Sequence, residues 1–223
     1  MICMQTPPEK PAGLTRAGAG NGNLVHTDAR FSAAIERAVS EIEVHTDAEV
    51  VVVAAPCSGS YADLAWLGAG IVAIVVLAFL VWSPVVFDAV WFPVDVLATG
   101  AFVGWALTRW PRLVVAAAGA ARRARQVRQG ALAAFTEENV HATAERTGLL
   151  VYVSALEGRV ELIPDHGLLG KIPGAKWNAL HVRADTVDEL VAGIHRLGGL
   201  LAAHVPATAL NEDQIGNAPR LRT

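Results

Sequence analysis

Only two cysteines, Cys3 and Cys57, occur in the 223-residue chain, and they sit in unlike contexts. They form no disulfide framework, and thiols in a reducing compartment are the expected state. HExxH and CxxC spacings are absent, so His141, His166, His181, His195 and His204 do not read as a zinc cluster. Nor is there a glycine-rich phosphate loop, a nucleophile elbow or a kinase signature. Charge is also scarce: a net value of −3 is too small to imply a nucleic-acid partner. Met1 to Asn23 is rich in proline, glycine and polar residues, without the apolar core of about 7–15 residues that a signal peptide needs. Residues 1–26 are expected to be disordered. No internal repeat is visible.

Apolar residues, by contrast, are abundant. They make up 53 % of the chain, above the usual average of about 45–50 %. Leu64 to Val81 is a run of eighteen residues without a charge, and a second apolar stretch, Val90 to Leu107, follows within ten residues. At about 1.5 Å per residue each matches a hydrocarbon layer of roughly 30 Å. The pair reads as a transmembrane helical hairpin over 63–110.

The link between the two stretches contains Asp88 but no Lys or Arg, whereas Arg109, Arg112, Arg122, Arg123, Arg125 and Arg128 follow the second one. Cations near membrane segments stay on the cytoplasmic side. The expected topology is therefore multi-pass in the cytoplasmic (inner) membrane, with both termini cytoplasmic. Trp66, Trp82, Trp91, Trp105 and Trp110 lie near the span ends, where indoles favour the headgroup layer. Asp88 and Asp95 are expected at that interface. Gly100 and Gly104 form a small-xxx-small pair that allows close helix approach. A buried hairpin in a soluble core is the competing explanation, and the aromatic ends and one-sided arginines disfavour it.

The flanks read as pieces of one fold. Phe31, Ala34, Ile35, Ala38 and Ile42 have the 3–4 spacing of an amphipathic helix. Glu49 to Pro56 is a continuous β-branched run that suits a strand buried on both faces. Beyond the hairpin, helical pattern continues to about Arg146, with Gly148 placed as its cap. Leu149–Ser154 and Arg159–Ile163 read as an antiparallel pair turning at Glu157-Gly158. Thr186 with Glu189 is a capping box opening a helix to about Ala203. A lone strand over 49–56 is unstable, so it must pair with the strands downstream. The expected fold class is an α/β sandwich, a central sheet flanked by helices, with the hairpin inserted. Its parts are 27–62 and 111–207, followed by a tail at 208–223.

The phrases Thr46–Val53, Ser58-Gly59-Ser60-Tyr61, Arg146–Ser154 and Val160–Gly167 resemble the TPM domain family. More narrowly, the chain resembles bacterial membrane members with a hydrophobic hairpin after the first strand. The likeness covers roughly residues 28–210. It implies the TPM-like α/β sandwich, with acid phosphatase activity or calcium binding among relatives. The family's acidic residue after the hairpin strand corresponds to Asp165. Its C-terminal segment corresponds loosely to Asn211–Asn217.

Site expectations follow. Asp165 stands at a strand end before Gly167; with Glu212 and Asp213 it is the candidate Ca²⁺ or Mg²⁺ site, since hard cations take oxygen ligands. The alternative use of Asp165 is turn formation. Arg112, Arg122, Arg125 and Arg128 are candidate lipid-headgroup contacts, the alternative being a solvated helix face. Arg146 reads either as a phosphate contact or as a helix-end cation. The expected partners are the lipid bilayer together with membrane proteins or further copies of the chain. The expected function is that of a two-span protein presenting its α/β domain for binding or assembly. The alternative is a metal-dependent phosphomonoesterase that polarises a phosphoryl oxygen.

Overall fold

The computed structural model describes residues 29–84, 88–208 and 215–222. The expected disordered segment 1–26 and two candidate ligands, Glu212 and Asp213, lie outside that range. The chain divides into two compact units, one over 59–123 and the other joining 29–58 to the residues from 124 onward.

The second unit contains a mixed four-stranded sheet in the order β3-β2-β1-β4. β1 (Glu49–Ala55) lies parallel to β2 (Gly148–Ser154), in register from Glu49 opposite Gly148 to Ala55 opposite Ser154. Both strands are buried at every residue, as a continuous β-branched run requires when both faces are covered. β3 (Arg159–Pro164) returns antiparallel to β2 through a turn in which Gly158 takes φ +59°. β4 (Arg220–Leu221) runs parallel to β1 at the other edge.

Alternation along the strands builds two cores. Val50, Val52, Ala54, Leu149, Val151 and Val153 face α1 (Ala29–Glu43) and α8 (Val187–His204). From α1 come Phe31, Ile35, Ala38, Val39 and Ile42; from α8 come Leu190, Ile194, Leu197 and Leu201. Each large side chain buried there contributes roughly 1.5–3 kcal/mol. Thr186 caps α8 by accepting the Glu189 amide. On the opposite face Val51, Val53, Leu150 and Tyr152 meet Val127, Ala131 and Ala134 of α5 (Ala120–Glu137). The unit is thus α/β, with helices over both faces of a mixed sheet.

Three expectations need correcting. The helix does not reach Arg146: α5 ends at Glu137, a 3₁₀ turn follows at Val140–Ala142, and Arg146 itself adopts φ +56°. Gly148 caps nothing; it opens β2, where a Cβ would overlap the Val140 carbonyl oxygen. Cys57, expected as a thiol, is disulfide-bonded. Two short helices not read from sequence, α6 (His166–Lys171) and α7 (Gly174–Ala179), precede α8.

In the other unit, α2 (Ala62–Trp82) and α3 (Phe92–Arg109) pack antiparallel, and α4 (Pro111–Ala117) follows. Gly119 at φ +70° separates α4 from α5.

Candidate functional site

The hairpin is held by small residues. A Cβ on Gly100 would lie 3.5 Å from the Cβ of Ala73, and one on Gly104 would lie 3.5 Å from that of Ala69. Those are ordinary van der Waals distances; the tight approach is at the Trp66 ring, 3.0 Å from a Cβ on Gly104. The remaining surface of α2 stays uncovered: only 11 % of its most apolar stretch is buried, and Ile74, Val75, Phe79 and Val81 are exposed. Among the described residues α2 is the one helix long and apolar enough to cross a membrane. α3 carries Asp95 in its first turn and Arg109 in its last.

The arginines sort into engaged and open groups. Arg122 donates through Nη2 to both carboxylate oxygens of Asp63, at 2.7 and 2.8 Å, and its guanidinium lies 5.7 Å from the Tyr61 ring. Arg128 is 2.7 Å from Glu161. Arg112 and Arg125 are exposed and have no carboxylate partner among the described residues. Arg109, absent from the expected set, lies over the Trp105 ring at 5.4 Å. Its i, i+4 spacing from that indole was the available signal.

At the carboxyl ends of β1 and β2 lies a polar cluster of which Ser58 was read from sequence as a polar-site residue, with Tyr61, or as shaping the entry into the span; its partners Tyr152, Ser154 and Glu157 were not. Glu157, 4 % exposed, accepts the Ser58 amide at 3.1 Å and the Ser154 hydroxyl. Ser58 Oγ in turn bonds Ser154 Oγ at 2.6 Å and Tyr152 OH at 3.3 Å. Burial pushes the Tyr152 phenol above its usual value. A hydroxyl chain ending on a carboxylate joins residues 99 positions apart and fixes the loop after β1 against the turn after β2. The available signal for the partners was Ser154 with Glu157 across the tight turn.

Asp165, the one described member of the expected metal set, is engaged within its own unit. Its carboxylate accepts the His166 amide at 2.7 Å, which caps α6, and it pairs with Arg146, Nε to Oδ2 at 2.8 Å and Nη2 to Oδ1 at 3.1 Å. The left-handed turn at Arg146 brings the guanidinium back onto β3's end, where it meets Asp165. Gly167 permits the close approach, since a Cβ there would overlap the carbonyl oxygens of Glu145 and Arg146. Among the described residues no group of three His, Cys, Asp or Glu side chains could hold a metal ion.

No protein-family model matches the chain, and no curated protein does. Among solved structures it is similar to the NMR structure of BA42 protein from the psychrophilic bacterium Bizionia argentinensis. Identity is 15 %, coverage is 87 % of this chain and 94 % of that one, and the TM-score is 0.53. At that identity the likeness concerns the fold alone.

Proposed function

We propose that this is a two-span membrane protein that presents a TPM-like α/β unit on the cytoplasmic side, where it binds or helps assemble membrane partners. The observation that carries the reading is the hairpin. α2 sets Ala69, Ala73 and Trp66 against α3 and leaves Ile74, Val75, Phe79 and Val81 uncovered, which costs free energy in water and none among lipid tails. Between Ala65 and Thr108 there is no Lys or Arg, whereas cations cluster just after α3. The tryptophans at both ends of the hairpin suit the headgroup layers.

Orientation follows from that arginine distribution. Against it stands the disulfide at Cys57, because such bonds persist in oxidising compartments. A reporter fused after Thr223 decides between the two: periplasmic activity overturns the cytoplasmic assignment. For the binding role, the test is purification of the native complex in mild detergent. Co-purifying membrane proteins support the assignment, and reproducible recovery of the bare chain removes it. If the unmodified protein proves to be a water-soluble monomer without detergent, the membrane reading itself fails.

A further inference from the structure

We propose that the arginine-bearing end of the hairpin recognises the phosphodiester of anionic phospholipids, holding it at Arg109 and Arg112 beside Trp105 and Trp110. This rests on the membrane reading above and adds the lipid class. α2 begins and α3 ends at this same end, since Trp66 packs on Gly104 and Leu107 on Gly68. From Val96 to Thr136 the chain has six arginines, Arg109, Arg112, Arg122, Arg123, Arg125 and Arg128, and no Asp or Glu. Within the hairpin unit, Asp63 is taken by Arg122.

Arg109 and Arg112 therefore lack an acidic partner among the described residues, and both are exposed. A cation left without a counter-charge close to a bilayer is complementary to a lipid phosphate. The planar guanidinium fork meets phosphate oxygens two at a time, which a zwitterionic surface neutralises with its own ammonium. The indole over which Arg109 lies holds its head without consuming its donors. Trp105 and Trp110, 56 % and 61 % exposed, are free to sit at the glycerol level of the same lipid.

The test uses the full chain in nanodiscs and in non-ionic detergent. Insertion into phosphatidylcholine nanodiscs checks the anchor alone. In detergent, native mass spectrometry then measures retention of phosphatidylglycerol, phosphatidylcholine and free glycerol phosphate. The expected result is preferential retention of phosphatidylglycerol, weakened about fivefold for each arginine removed in Arg109→Gln and Arg112→Gln. The control Arg183→Gln, whose arginine pairs with Asp185 at 2.6 Å, keeps the preference. Equal retention of the two lipids, an unchanged preference in Arg109→Gln and Arg112→Gln, or glycerol phosphate held as tightly as the lipid would each overturn the inference while leaving the anchor intact. Failure to enter phosphatidylcholine discs would remove both.

Discussion

Gly104 lies against the indole of Trp66 so closely that a Cβ built on it would stand 3.0 Å from the ring. Gly70, on the same helix as Trp66, has nothing within 4 Å of its own Cβ position. The pair separates packing from composition. Gly104→Val should destabilise the hairpin by about 1–3 kcal/mol, the usual cost of overpacking, whereas Gly70→Val should change little. Thermal unfolding of both variants in the same detergent checks this. Equal losses would show that the helices do not pack on the Gly104 seam.

The Glu157 cluster gives a second prediction. Glu157→Ala leaves the Ser58 amide and the Ser154 hydroxyl without their buried acceptor, at about 1–3 kcal/mol for each group stranded. Chemical denaturation should therefore show a drop well above that of a surface glutamate such as Glu145, whose carboxylate is exposed and paired with Lys171. A drop no larger than the Glu145→Ala one would mean that the cluster is wet and contributes little.

Tyr152 supplies a pH dependence. Burial raises its folded pKa above the usual 10.0, so the folded state favours the protonated phenol. The associated stability is fully present below the unfolded pKa and is lost as pH rises through the folded one. Wild-type stability should fall with alkalinity beyond about pH 10, and Tyr152→Phe should flatten that fall. Denaturant midpoints across alkaline pH measure it; parallel curves for the two proteins would assign the alkaline loss to other groups.

How far the sequence carried this reading depends on how local each signal was. β1, the β2–β3 turn, α1 and α8 were legible because each declares itself within about ten residues, by a β-branched run, a Glu-Gly turn, a 3–4 stripe or a capping box. The end of α5 was not: Ala- and Glu-rich sequence continues past Glu137, and what stops it is a left-handed Asn139, φ +54°, with no glycine or proline to announce it. β4 is two residues of weak strand propensity, defined only by its pairing with Val53 and Ala54. The partner of Asp165 was hidden for the same reason. Arg146 lies nineteen residues away, and only the turn that folds back to β3 brings the two together. Asp165 itself was visible as a turn acid, but its commitment to a guanidinium was not.

That commitment separates a structural from a metal-binding Asp165. Asp165→Ala removes the cap of α6 and the Arg146 pair together, and should lower stability by about 1–3 kcal/mol in the presence of chelator. If the variant lost stability only when calcium was supplied to the wild type, the carboxylate would be a ligand after all. Melting curves with and without calcium, for both proteins, distinguish the cases.

The C-terminal edge is the last and most exposed dependency. Arg220 and Arg222 tie β4 to the end of α5 through Glu138 and Glu137, and the Arg222 amide donates to the Ala54 carbonyl at 2.9 Å. These ion pairs are part-exposed and individually weak, so the strand is held mainly by its backbone bonds to β1. Truncation after Ala218 removes those bonds and leaves the β1 edge open, a template for pairing with another chain. The truncated protein should melt earlier and self-associate in a concentration-dependent way that light scattering detects in detergent. Arg222→Ala, which keeps the backbone pairing, should remain dispersed. Association by the point variant as well would mean that the guanidinium, and not the strand, protects that edge.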